Sequence, residues 1–66
     1  MKNNLKVQRA IKDLTQAELA NLIGVSRQTI NAMEKGKYVP STVLALKLSK
    51  LFDKPVCEIF KLEEND

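Results

Sequence analysis

The chain has 66 residues, 44% of them hydrophobic, with a formal charge of +3, no histidine and one cysteine. A chain of this length makes one domain, here residues 1–66, and buries only about 60% of its unfolded surface, which excludes a second lobe or a deep substrate cleft. The same inventory argues against an enzyme, a metal site, a cofactor or a membrane span: Cys57 has no histidine to activate it, only Gly24 and Gly36 are present, and no apolar run approaches about 20 residues.

The predicted elements are short helices. Asn3 or Asn4 can cap a first helix running to about Lys12, with Leu5, Ala10, Ile11 and Leu14 on its apolar side. Thr15 opens the second, about residues 16–23. Glu18 follows three residues later, which makes a capping box. Leu19, Ala20, Leu22 and Ile23 keep helical spacing. Gly24 then breaks the helix, because glycine enters left-handed backbone space without a steric penalty. Ser26 caps a third helix, about residues 27–35, which Gly36 ends. Two helices joined by so short a turn must cross steeply.

Lys37–Pro40 reads as a loop, and Ser41 caps a fourth helix. Leu44, Ala45, Leu48, Leu51 and Phe52 share one stripe of that helix, whereas Val43 and Leu46 point away from it. Pro55 suits the first turn of a fifth helix, with Val56, Ile59 and Phe60 at spacings of three and four. Glu63–Asp66 is an acidic tail expected to fray. The one strand signal is a short pairing of Lys2–Leu5 with Phe60–Leu62. Cys57 has no partner for an internal disulfide, which fits a cytoplasmic setting, and reads as a small buried hydrophobe.

Charge and helix three point the same way. Residues 1–37 hold seven bases and three acids, against four and five in residues 38–66, so the first half suits a polyanion. On the third helix Arg27, Gln28, Asn31 and Lys35 fall within an arc of about 100°, with Thr29, Ile30 and Met33 on the other side. Arginine, asparagine and glutamine are the side chains that pair with base edges in the major groove. An ordinary solvated face would look similar, but this helix follows a capped helix and a glycine turn, which is the helix-turn-helix arrangement.

The runs Thr15-Gln16-Ala17-Glu18-Leu19-Ala20, Ile23–Ile30 and Glu34-Lys35-Gly36 with Pro40-Ser41 resemble the Cro/cI-type (XRE) helix-turn-helix family over essentially the whole chain. Ser26–Asn31 followed by Glu34–Tyr38 and Pro40-Ser41 is similar to its small stand-alone, cytolysin-repressor-like subgroup. The resemblance implies an all-α, compact five-helix bundle of the lambda-repressor-like DNA-binding type with a central helix-turn-helix. It implies a sequence-specific regulator, most readily a repressor acting by occupancy. By position, Arg27, Gln28 and Asn31 would face bases, with Ala32 beside them. Ser26 and Thr29 would touch phosphate or a thymine methyl, and Gln16 would clamp a phosphate at a helix N-terminus. Lys35, Lys37, Tyr38, Ser41 and Thr42 would approach the DNA backbone, although Tyr38 could equally pack. Arg9 and Glu34 match the family's interhelical ion pair.

Two positions depart from the family pattern. Gln8 stands where Leu or Ile is usual, leaving Val7 or Ile11 to compensate, and Lys54 replaces an apolar residue. The partners implied are double-stranded DNA and a second copy of the chain. The homodimer would use Ile59, Phe60 and Leu62, because a chain this short cannot easily bury all its leftover apolar residues. The competing reading is a protein-interaction module, such as an antitoxin bound to a toxin.

Overall fold

The computed structural model describes all 66 residues. In chain order these form β1 (Lys2–Asn3), α1 (Leu5–Ile11), α2 (Gln16–Ile23), α3 (Arg27–Glu34), α4 (Thr42–Phe52), α5 (Val56–Ile59) and β2 (Phe60–Lys61). β1 and β2 pair antiparallel, Lys2 opposite Lys61 and Asn3 opposite Phe60, so the two ends of the chain close on each other. The result is a five-helix bundle of 31 × 23 × 21 Å with one small terminal sheet. No helix is long and apolar enough to cross a membrane.

Local chemistry places most boundaries. The Thr15 hydroxyl accepts from the Glu18 N–H at 3.1 Å while the Glu18 carboxylate accepts from the Thr15 N–H at 2.9 Å, so two orphan donors are satisfied reciprocally. Gly24 ends α2 at φ +76°. The Ser26 and Ser41 hydroxyls cap α3 and α4 by accepting from Thr29 and Leu44 N–H. α3 stops at Glu34, one residue short of the expected end, with Lys35 as its C-cap.

The core joins every helix. Leu5, Leu19, Ile30, Met33 and Leu48 are fully excluded from solvent, and Ile23, Phe52, Ile59 and Phe60 lie beside them. The α4 stripe of Leu44, Leu48 and Phe52 turns inward, and Val43 and Leu46 point to solvent, as their spacing requires.

Several expectations are corrected. On α1 the inward face carries Leu5, Gln8 and half-buried Arg9, while Ala10 and Ile11 are exposed. The reason is register: Gln8 and Arg9 follow Leu5 at helical spacing, and Arg9 must reach α3. Neither Val7 nor Ile11 compensates for Gln8, which is itself buried. Leu22 faces solvent from the far side of α2. The asparagines do not cap α1 through Asn4; Asn3 Oδ1 accepts from Leu5 N–H, and the two side-chain amides donate to Met33 and Glu58 carbonyls. Pro55 precedes α5 rather than starting it, and of the two expectations for Phe60 the strand pairing with the N-terminus holds and the helical one does not. The Glu63–Asp66 tail is not frayed, since the Met1 ammonium pairs with Glu63 at 3.0 Å and Asp66 at 3.3 Å. Cys57 is exposed, not buried.

The largest correction concerns self-association. Ile59 and Phe60 are 1% and 7% exposed within a single chain, so they are core residues and not a free apolar surface. The strand pairing turns Phe60 inward and leaves Leu62, 81% exposed, as the open member of the expected trio.

Candidate nucleic-acid interface

α3 is held by its apolar side. Ile30 and Met33 sink into the core against α2 and α1, and this rotates the opposite face outward. Arg27 and Gln28 stand exposed at its first turn, Asn31 is half-buried one turn on, and Ala32 is half-buried beside it. Gln16, the first residue of α2, meets this face. Together Gln16, Arg27, Gln28 and Asn31, all polar residues, line a shallow hollow of about 200 Å³.

Behind the hollow runs a hydrogen-bonded network. Arg9 grips Glu34 with two bonds, Nε to Oε2 at 2.7 Å and Nη2 to Oε1 at 3.2 Å, and donates a third to the Leu14 carbonyl at 2.8 Å. The same Oε1 of Glu34 accepts from Gln16 Nε2 at 3.1 Å, and that nitrogen also donates to Asn31 Oδ1 at 3.3 Å. Both amide hydrogens of Gln16 are therefore committed within the protein. Burial alone would push the Glu34 carboxyl up. Hydrogen bonds from Arg9 and Gln16, with the positive charges of Arg9 and Lys6, outweigh it and hold Glu34 below the usual glutamate value. The Arg9 guanidinium is held above its ordinary value, chiefly by its hydrogen bonds with Glu34.

The remaining residues named from sequence lie around this face rather than in the hollow. Ser26 and Thr29 spend their hydroxyls on each other, 3.0 Å apart, and on the α3 cap. Lys35, Lys37 and Tyr38 are exposed on the loop after α3. Ser41 caps α4 and Thr42 opens it, both exposed beside the amides of that helix start. Sequence reasoning missed the Leu14 carbonyl that anchors Arg9 and the Asn3 amide that braces the α3 end through the Met33 carbonyl at 2.7 Å. Neither carries a local pattern that could have announced it. The arrangement offers a convex polar helix face, guanidinium and amide groups for base edges, and two helix starts for phosphates.

The helix-turn-helix family model matches residues 5–59. An HTH-type transcriptional regulator of Methanocaldococcus jannaschii is 53% identical over the whole of both chains. YgzD of Bacillus subtilis, another HTH-type transcriptional regulator, is 47% identical, again over the whole of both. RstR, a cryptic phage CTXphi transcriptional repressor from Vibrio cholerae, is 38% identical over 96% of this chain and 54% of its own.

Proposed function

We propose that this chain, which belongs to the XRE-type helix-turn-helix family of DNA-binding transcriptional regulators, is a dimeric repressor that occupies a pseudo-palindromic operator with α3 in the major groove. The observation that carries the reading is the outward face of α3, where Arg27, Gln28 and Asn31 stand together around a polar hollow. These side chains read bases and Ala32 packs against a thymine methyl or sugar. Lys35 and Lys37, the Ser41–Thr42 helix start and the Tyr38 hydroxyl contact phosphates. Gln16 serves the backbone through its main-chain N–H at the start of α2, because its side-chain donors are occupied. Ser26 and Thr29 act mainly as the cap that presents the first turn of α3.

A repressor role has the support of a relative named as one, RstR. Occupancy of the operator is the mechanism. A second copy covers Leu62 and the outward side of α4, where Val43 and Leu46 are each more than half exposed. Two-fold symmetry then sets two recognition helices about 34 Å apart, on successive major grooves.

The test is fluorescence anisotropy with DNA from upstream of the chain's own gene, against a scrambled duplex, at about 50 and 200 mM salt. Binding to the native duplex that persists at the higher salt, with weak binding to the control, is expected. Equal binding to both that collapses at the higher salt would defeat the reading and turn the search to protein partners.

A further inference from the structure

The network behind the hollow has a fixed direction. Arg9 has only donors and an ionised carboxylate has only acceptors, so Glu34 must be approached by the nitrogen of the Gln16 amide and not by its oxygen. Once Gln16 presents Nε2, its second hydrogen faces Asn31, which can answer only with Oδ1. The order of acceptor and donor along the Asn31 amide is thereby set from Arg9, two helices away.

That order is chemical information. Adenine offers a donor at N6 beside an acceptor at N7, and an amide matches the pair only when its own oxygen and nitrogen lie in the complementary order. A half-turn of the amide exchanges the two and converts a match into two clashes of like polarity. Asparagine alone has little to favour one orientation, because its oxygen and nitrogen are nearly the same size.

We propose that Glu34 is a positioning residue for specificity, acting through Gln16 to fix which way the Asn31 amide faces and so which base it prefers. This rests on the base-reading role argued above for α3. Glu34 touches no DNA. It works through one amide that hands its polarity to the next, and the Arg9 pair keeps it charged and aimed.

Selection from a pool of duplexes with a randomised core reads the effect directly. The wild-type protein yields a preferred base at each position, and Asn31→Ala marks the position that Asn31 reads. Glu34→Gln turns its amide oxygen to Arg9 and can offer Gln16 a donor where the carboxylate offered an acceptor. It should lose roughly 5- to 100-fold of the preference at that position and leave the Arg27 and Gln28 positions sharp. Gln16→Met keeps the Arg9–Glu34 pair and the side-chain volume, and should flatten the same position in a protein whose melting temperature stays near that of the wild type. A purely structural role for Glu34 would weaken all positions together. That uniform loss, or an Asn31 position left sharp in both variants, overturns the proposal. An Asn31→Ala pool identical to that of the wild type overturns it as well. A wild-type protein that selects no sequence at all instead removes the DNA-reading function on which the proposal stands.

Discussion

Arg27, the first base-reading side chain in the proposed reading, is an exposed charged fork at the first turn of a helix whose other side is locked in the core. Its five donors suit the two acceptors of guanine, and no acid of α3 competes for them, because Glu34 is occupied by Arg9. Arg27→Ala should therefore cost about 1–3 kcal/mol on a specific duplex and relax preference at one base. Anisotropy on specific and scrambled DNA checks this, and equal losses on both would remove the base-reading role. Glu34 makes a different prediction. Its side chain is 8% exposed and that of Arg9 16%, so Arg9→Ala strands a shielded carboxylate and should cost about 2–4 kcal/mol at neutral pH. The folded pKa of Glu34 lies below its unfolded value, so its contribution is present above the ordinary glutamate value of about 4.3 and lost as pH falls through the lower folded value. Thermal unfolding followed from pH 7 to 3 should show a steep acid decline that flattens in Glu34→Gln. Part of the decline remains in that variant, because Glu18 is also held low by its bonds to Thr15. An unchanged acid profile would mean that Glu34 is not held low.

Elements end here in two ways, and only one was legible in the sequence. Gly24 stops α2 in the left-handed region, and a glycine after a periodic apolar run announces this. Asp13 and Asp53 take the same backbone conformation, at φ +55° and +54°, to close the turns after α1 and α4. Aspartate visits that region at a cost that glycine avoids. Gly24→Ala should destabilise by about 1 kcal/mol even though a Cβ there meets nothing within 4 Å, since the penalty is conformational. Asp53→Gly should stabilise by up to about 1 kcal/mol, and chemical denaturation of both variants checks the opposite signs. The capping box and the two serine caps were readable because their partners lie three residues apart. The Arg27–Gln28–Asn31 arc was readable because helical spacing alone sets it. Which face of α1 turns inward was not, because the apolar residues Val7, Ala10 and Ile11 compete for the core on spacing alone; the Arg9–Glu34 pair that orients the helix was implied only by the family resemblance. The pairing of Phe60 with Asn3 was legible as the short strand signal at the two ends of the chain, although Phe60 also fitted the spacing of the fifth helix. Gln16 was legible as the first residue of α2 but not as a hydrogen-bond donor to Asn31, since nothing in either neighbourhood encodes the contact.

A whole molecule of this size has a recognition problem that its parts do not solve. Eight residues of α3 extend only about 12 Å, room for three or four base pairs, too few to mark one site in a genome. Doubling the helix through a second copy doubles the site, and the second contact then adds at high effective concentration. The surface proposed for that copy is what remains after the core has taken Ile59 and Phe60. Leu46, Val43 and Leu62 are 58%, 64% and 81% exposed, on α4 and just beyond β2. A charge in the middle of such a contact cannot be hydrated without separating the partners. Leu46→Glu should convert the proposed dimer to a monomer by sedimentation velocity and weaken operator binding roughly 100-fold. Its loss on scrambled DNA should be small, because phosphate contacts of one copy survive. Val7→Glu is the matched control, an apolar residue 56% exposed on α1, an element not included in the proposed contact. Dimers in both variants would place the interface elsewhere. A wild-type chain that sediments as a monomer while holding its operator tightly would show that one recognition helix suffices.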